Sequence, residues 1–455
     1  MNDSLLLAYY SNQDIRSRIA EFENDGSTDF RPSLSPSDAA CRRPPRNFEF
    51  WQHMAAGRQL QRSLWDRRGL VVQLDLKYIN FDHPYLVYLE PQHAFCAQQP
   101  VVTELLSQLT RYGLVPLHVL TACGHQFLWN VEPSSRTFQQ LAQLGRRSCS
   151  TVPRDAGGEG MPTEMALAFT GVGMIVEYLS QEVLRRARPR CTIPIQLTAV
   201  APISGQRGRE VVSIDLSLYG EPLGKQMIQV PYTATREVQR LSLPSPSRGL
   251  PAWLIPIPLE TGEEGDPLEL RNPFRIASRA RHTRAVIPDC SEAFAGLLAA
   301  YVASPLARFH DEYYATEPHP PEQWPTTYHR MQGDQLPPCL VELLKPSGQG
   351  NLAPSALQHI TRGLLGLGWH PRHIAGLLWS CRQPEQTAAA WTAMHNAKHW
   401  ADLHVRVFAG QVSAGVDRMG DFDCLSTRKR GYCPGTPCDV DLVDLARTAV
   451  ARPDL

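Results

Sequence analysis

No stretch of this chain carries eighteen consecutive apolar residues, and its first thirty residues are polar and acidic, Glu21, Glu23 and Asp25 among them. A membrane-spanning helix needs about 20 apolar residues, so the sequence predicts neither a membrane span nor a secretory signal, and no membrane partner. Charge of one sign is also missing: 45 basic side chains balance 45 acidic ones, for a formal net charge of zero. Bulk electrostatics therefore draws the chain to no nucleic acid, and such a surface has to come from local clustering. No internal repeat is visible, which argues against solenoid and propeller arrays. The eleven cysteines are an odd number scattered through a long chain, unlike the dense even set of a small secreted scaffold. The expectation is a reduced, cytoplasmic compartment, with a few thiols recruited as ligands and the others buried as small hydrophobes.

What is present is an ordinary globular composition, 43% hydrophobic and 20% charged over 455 residues. That excludes wholesale disorder, and the length predicts two or three domains. Residues 1–68 read as a helical appendage, with a short helix over Ser11–Glu23 and a second over Phe48–Arg67, where Phe50, Trp51, Met54, Leu60 and Leu64 recur at roughly helical spacing. Residues 69–240 read as an α/β domain. Its strands are expected at Gly69–Leu76, Leu117–Leu120, Gln126–Val131, Ile193–Ala201, Glu210–Leu216 and Gln226–Val230, and its helices at Pro100–Gly113, Ser134–Leu144 and Glu164–Arg186. Gly171 and Gly173 inside the last helix predict close packing. Residues 241–290, rich in proline and glutamate at Leu243–Asp266, read as a linker, and 291–455 as a separate helical domain. The fold class is α+β: a mixed α/β domain followed by an α-helical one.

Two constellations carry chemistry. Asp75 and Asp215 each end a predicted strand, and the turn Thr121-Ala122-Cys123-Gly124-His125 lies between them. Carboxylates on neighbouring strand ends suit Mg²⁺ or Mn²⁺ in phosphoryl transfer, and a glycine turn lets backbone N–H groups approach a phosphate. The plainer alternative is that both aspartates cap turns. The second constellation is Cys339, a helical segment, then Cys424, Cys433 and Cys438 in a run with Gly431, Pro434, Gly435 and Pro437. Four thiolates suit Zn²⁺ or a [4Fe–4S] cluster. The alternatives are four unremarkable thiols, Cys381 as a competing ligand, or a zinc site completed by His370, His373, His395, His399 or His404. Arg271, Arg275, Arg279, Arg281 and Arg284 read as a phosphate-tracking face, or else a solvated helix face. Arg185, Arg186, Arg188 and Arg190 follow a helix end, where cations also suit the dipole.

The order Val72-Gln73-Leu74-Asp75-Leu76-Lys77, then Leu120 to Trp129, then Ser213-Ile214-Asp215 resembles the three motifs of the archaeo-eukaryotic primase superfamily. The resemblance implies a primase-polymerase fold over roughly 69–233, with Asp75 and Asp215 as catalytic ligands of Mg²⁺ or Mn²⁺ and Lys77, Gly124 and His125 near the nucleotide phosphates. Departures accompany it. The second acid of the first motif falls on Lys77, whose ammonium repels a metal and would instead meet a triphosphate directly. The motif histidine falls on Gln126, and His125 beside it points to the opposite face of a strand. The later Arg-x-Pro-x-Ser is Gln229-Val230-Pro231-Tyr232-Thr233. The cysteine segment resembles the iron–sulfur domain of the primase large subunit, through Pro337-Pro338-Cys339, Arg362 to Trp369, Phe422-Asp423-Cys424 and Tyr432-Cys433-Pro434. That implies a [4Fe–4S] cluster, with zinc as the alternative, and template contacts from Arg362, Arg372, Arg428, Lys429 and Arg430. Together these imply a primase-like protein that binds DNA or RNA and nucleoside triphosphates, with primer synthesis weakened or lost. The alternatives are an inactive nucleic-acid-binding or regulatory relative, and a generic protein with a structural zinc. No protein partner is indicated.

Overall fold

The longest apolar, β-branched run, starting at Leu70, becomes the strand on which the sheet is built. A computed structural model describes residues 3–23, 28–33, 59–66, 68–148, 161–235, 250–251, 253–330, 336–345, 352–381 and 397–452. Among the described residues the sheet has nine strands: β1 (Thr28–Ser33), β2 (Gln59–Asp66), β3 (Leu70–Asn80), β4 (Leu117–Leu120), β5 (Gly124–Val131), β6 (Ile195–Leu197), β7 (Glu210–Asp215), β8 (Met227–Gln229) and β9 (Ile257–Leu259). The main path runs β1-β2-β3-β5-β4-β9, with β7 on β3 and β6, and β8 on β2. Among the described strand pairs only β6–β7 is parallel, so the sheet is mixed. From Leu74 onward β3 alternates buried and partly exposed residues, with Asp75, Lys77 and Ile79 on the more open side. Such alternation marks a strand with one face on the core.

The helices are α1 (Asp3–Tyr10), α2 (Gln13–Glu23), α3 (Leu86–Leu89), α4 (Pro91–Arg111), α5 (Arg136–Ser148), α6 (Thr163–Ala187), α7 (Pro273–Arg279), α8 (Ser291–Val302), α9 (Pro305–Ala315), α10 (Pro338–Leu344), α11 (Pro354–Gly366), α12 (Pro371–Ser380), α13 (Ala397–Ser413), α14 (Cys424–Lys429) and α15 (Leu442–Val450). No described helix is long and apolar enough to cross a membrane. The chain is thus α+β, with a mixed sheet and many helices. α4 begins at Pro91 and carries Pro100 in its interior instead of starting there. Proline deprives the carbonyl four residues earlier of its helical partner. That residue is Cys96, which is exposed, so water can serve its carbonyl. The glycines of α6 do mark close packing: a Cβ on Gly171 would stand 2.2 Å from the Leu141 carbonyl oxygen of α5.

Two expectations change. Residues 48–58 lie outside the described set, and the remainder of the predicted Phe48–Arg67 helix is strand β2. Leu60 and Leu64 fit either period, because a spacing of four serves helix and strand alike. The deciding residues are Arg62 and Asp66, which are buried on the same side as the two leucines. Arg62 reaches Asp66 at 3.2 Å and donates to the Phe22 carbonyl at 2.6 Å. A buried charge pair does not register as apolar, so the period of two was hidden. In the proline-rich stretch taken as linker, Ile257–Leu259 forms β9, with Pro258 opposite Val119. An edge strand tolerates a proline.

The buried hydrophobic residues form one contiguous core from Leu6 to Ala449. A buried polar joint ties α6 to the later helices. Glu177 meets Arg406 of α13 at 3.0 Å and His310 of α9 at 3.3 Å, and Tyr301 reaches the other ring nitrogen of His310 at 2.8 Å. Burial alone would raise the Glu177 pKa, but Arg406 and His310 outweigh it and hold the carboxyl below its ordinary value.

Candidate functional site

Antiparallel register brings the distant motif residues together. Asp75 of β3 lies opposite Gln126 of β5 on one side and opposite Asp215 of β7 on the other. Three residues widely separated in sequence thereby form one row across the sheet. Lys77 follows Asp75 at a spacing of two and so shares its face. Its Nζ stands 2.8 Å from Asp215 Oδ2 and 3.3 Å from Asp75 Oδ2. The other oxygen of Asp75 accepts from Gln73 Nε2 at 2.8 Å and from Gln126 Nε2 at 3.1 Å. Asp215 Oδ1 accepts from the Ser217 amide at 3.0 Å. Burial alone would raise the Asp215 pKa, but Lys77 and Ser217 pull it down to about 2. Burial alone would lower the Lys77 pKa, and the two carboxylates reverse that and raise it. At neutral pH the trio is therefore two carboxylates bridged by one ammonium.

A cavity of about 290 Å³ opens beside this trio, with Gln73, Glu221 and Trp400 in its lining. Trp400 comes from α13, in the helical part of the chain. Below it, His404 is fully buried, with Nδ1 3.0 Å from the Trp400 carbonyl. Burial pushes its pKa down to about 4, so the ring is neutral at pH 7. Sequence reasoning missed Gln73, Glu221 and Trp400. Gln73 was legible, since it sits two residues before Asp75 on the same strand; Trp400 offered no local signal.

The turn predicted to meet phosphate is arranged differently. The Thr121 amide donates to the Gly124 carbonyl at 2.8 Å, closing the β4–β5 hairpin. A Cβ on Gly124 would lie 2.1 Å from the Leu76 carbonyl oxygen, so glycine serves strand packing there. His125 points away from the acids and is buried against Phe95 and His118, with 2.9 Å between the two imidazoles. Burial, aided by His118, holds its pKa well below the usual value. The structure thus does not bring His125 to Asp75, because adjacent residues of a strand face opposite ways.

In the cysteine segment, Cys339 opens α10 and is buried, Cys433 is half-buried, and Cys424 and Cys438 are exposed. Burial pushes the Cys339 thiol up to about 11; the Leu340 amide opposes this, and Cys433 and Cys438 add to it through their charge. Cys424 begins α14, whose N-cap Asp423 accepts from the Ser426 amide at 2.8 Å. Among the described residues, no group of three or more His, Cys, Asp or Glu side chains is close enough to hold a metal ion. Cysteine thiols are suitable donors for zinc or a cluster, but the described residues do not gather Cys339, Cys424, Cys433 and Cys438 into one binding group. His370 caps α12, accepting from the Arg372 amide at 3.1 Å, and His373 Nδ1 meets the Tyr328 hydroxyl at 3.0 Å. His395 lies outside the described residues.

Most predicted phosphate contacts are engaged elsewhere. Arg362 grips Asp417 with two nitrogens at 2.8 and 2.9 Å and reaches Asp421 at 2.8 Å. Arg430 pairs with the same Asp421, and Arg372 pairs with Asp402 while lying over Tyr313 and Tyr314. Burial alone would raise the Asp421 pKa, but Arg362 and Arg430 lower it to about 2. In the arginine-rich stretch Arg279 binds Glu263 and Glu269, Arg281 lies 3.5 Å from Asp14, Arg284 reaches Glu21 at 3.1 Å, and Arg271 donates to the Tyr88 carbonyl. In the last turn of α6, Arg185 and Arg186 pair with Glu182, and beyond the helix Arg190 pairs with Glu104. Arg428 and Lys429, at the end of α14, are exposed. No protein-family model matches the chain, and neither a curated protein nor a solved structure is found to be similar to it.

Proposed function

We propose that this chain is a DNA primase-like protein that binds nucleic acid, with template-dependent primer synthesis weakened or lost. The observation that carries the reading is the row Asp215–Asp75–Gln126, in which the three motif stretches become neighbouring strands with both acids on one face. The weakening follows from Lys77. A divalent ion about 4 Å from an ammonium meets a repulsion of about 8 kcal/mol at an effective dielectric near 20, which cancels the attraction of one carboxylate at that distance. Lys77 Nζ already sits on both acids. If Mg²⁺ or Mn²⁺ were taken up, Asp75 and Asp215 would hold it, and it would neutralise charge on a triphosphate. Cys339, Cys433 and Cys438, with Cys424, would hold the [4Fe–4S] cluster or zinc that the resemblance implies. The exposed Arg428 and Lys429, with the exposed Arg275, are then the side chains to meet a template phosphate.

The test is primer synthesis with Mn²⁺ and labelled nucleotides, run beside oligonucleotide binding, on the native protein and Asp75→Ala. The expected result is binding of single-stranded DNA or RNA without Asp75-dependent products. Robust Asp75-dependent synthesis would overturn the loss of activity, and absence of oligonucleotide binding would overturn the nucleic-acid reading. Iron with acid-labile sulfide in anaerobically purified protein would support the cluster, whereas zinc alone would leave a structural metal site.

A further inference from the structure

β7 ends at Asp215, and the chain passes at once into a short 3₁₀ turn, Ser217–Gly220. Each of its four residues meets a different neighbour. Ser217 donates its amide to Asp215 Oδ1 at 3.0 Å, while Asp215 Oδ2 meets Lys77 Nζ at 2.8 Å. Leu218 lines the cavity beside Asp75, Lys77 and Asp215. Tyr219 takes over where β7 stops. Register pairs Asp215 with Asp75, and beyond that pair the Tyr219 hydroxyl donates to the Gln73 carbonyl at 2.7 Å and accepts from the Gln73 amide at 3.4 Å. It thereby satisfies the backbone of β3 two residues before Asp75. Gly220 is buried and permits a close approach, because a Cβ there would stand 2.8 Å from Leu403 Cδ2 of α13.

Two helices hold this turn. From α6, Gly173 admits the Tyr219 side chain, since a Cβ at Gly173 would lie 3.1 Å from Tyr219 Cβ, and Phe169 packs on the same ring with centroids 5.1 Å apart. From α13, the buried Leu403 covers Gly220. Trp400, one helical turn earlier, reaches the cavity lining, with its ring 4.0 Å from that of His404. Truncating Leu403 opens a void over the turn, and removing the Tyr219 hydroxyl leaves the Gln73 amide and carbonyl without that partner. Both changes loosen the same four residues by different routes.

We propose that Leu403 and Tyr219 are positioning residues of the acid pair: by clamping the Ser217–Gly220 turn they aim the Asp215 carboxylate at Lys77, so that a helix from the C-terminal part of the chain sets the geometry of a trio carried by the sheet. This rests on the reading of the acid pair as the working centre of the protein. Neither residue is charged, and each acts through the turn.

The readout is the reactivity of Lys77. An amine is acylated only in its neutral form, and an ammonium held between two carboxylates stays protonated. Labelling of the full-length protein with acetic anhydride at mildly alkaline pH, followed by peptide mass spectrometry, compares Lys77 with Lys345, whose side chain is 59% exposed. Lys77 of the native protein should label about tenfold more slowly than Lys345, and its rate should rise about threefold or more in Leu403→Ala and in Tyr219→Phe. Leu340→Ala is the control. Leu340 is likewise buried and likewise lies over a glycine, a Cβ on Gly363 standing 2.6 Å from its Cδ1, but that glycine belongs to α11. Unchanged Lys77 labelling in either variant, when circular dichroism reports it folded, or an equal rise in Leu340→Ala, would overturn the proposal. If Leu403→Ala does not fold, Tyr219→Phe, which keeps the ring, decides it. Labelling reads the geometry of the trio alone, so absence of oligonucleotide binding in the assay above would leave the proposal standing.

Discussion

Lys77→Met removes the ammonium between two carboxylates and nearly preserves side-chain length. Asp75 and Asp215 are register partners on adjacent antiparallel strands, where facing Cβ atoms lie about 4.5–5.5 Å apart. Two unit charges about 5 Å apart at an effective dielectric near 20 repel by roughly 3 kcal/mol. The Lys77 side chain is 38% exposed, so solvent screening reduces the net effect to about 1–2 kcal/mol at pH 7. The pH dependence has a definite sign. The Asp215 pKa is depressed to about 2 in the folded protein, so its stabilising contribution is present above the unfolded value near 4 and fades as pH falls towards about 2. In Lys77→Met the part of the depression due to Lys77 is lost while that due to Ser217 remains, and the melting temperatures of variant and native protein converge over that window. Mn²⁺ should raise the melting temperature of Lys77→Met by mass action and leave the native protein unmoved. The assay is thermal unfolding at pH 7 and pH 3 with and without Mn²⁺. Equal melting temperatures at pH 7, together with no Mn²⁺ response in the variant, would refute the assignment of Lys77 as the internal counter-charge of the acid pair.

Glu177→Gln leaves Arg406 buried without its carboxylate, and breaking such a pair costs about 3–5 kcal/mol; the Glu177→Gln/Arg406→Met double variant should recover part of that in thermal melts. Gly171→Ala drives a methyl against the Leu141 carbonyl at 2.2 Å, so a loss of about 1–3 kcal/mol is expected, whereas Gly420→Ala, which meets nothing within 4 Å, should leave the melting temperature nearly unchanged. Arg362→Met breaks the buried pairing with Asp417 and Asp421 and should lower stability while oligonucleotide affinity of the folded fraction holds. Arg428→Glu, on an exposed side chain, should do the reverse in the same two measurements.

Much of the secondary structure was legible. Leu117–Leu120 appears as predicted, and the expected Glu164–Arg186 helix is α6 within a residue at each end, because their apolar periodicities are unbroken. The failures share one cause, polar or proline residues inside an element. Arg62 and Asp66 disguised β2, Pro100 shortened the expected α4, and Pro258 hid β9. The arginines were misjudged for a related reason. Arg279 lies in an arginine-rich stretch and Arg362 in the cysteine segment, but acids from elsewhere in the chain pair with both and neutralise them.

By itself the sequence determined that Asp75 and Asp215 sit on strands, that Lys77 shares the face of Asp75, and that His125 must face the other way, because a strand alternates with a period of two. Only the tertiary structure decided that Asp215 is the neighbour of Asp75, that Lys77 bridges them, and that Trp400 from a distant helix closes the cavity beside them. Local periodicity sets where a side chain points, whereas strand register and helix docking between remote segments set what it meets.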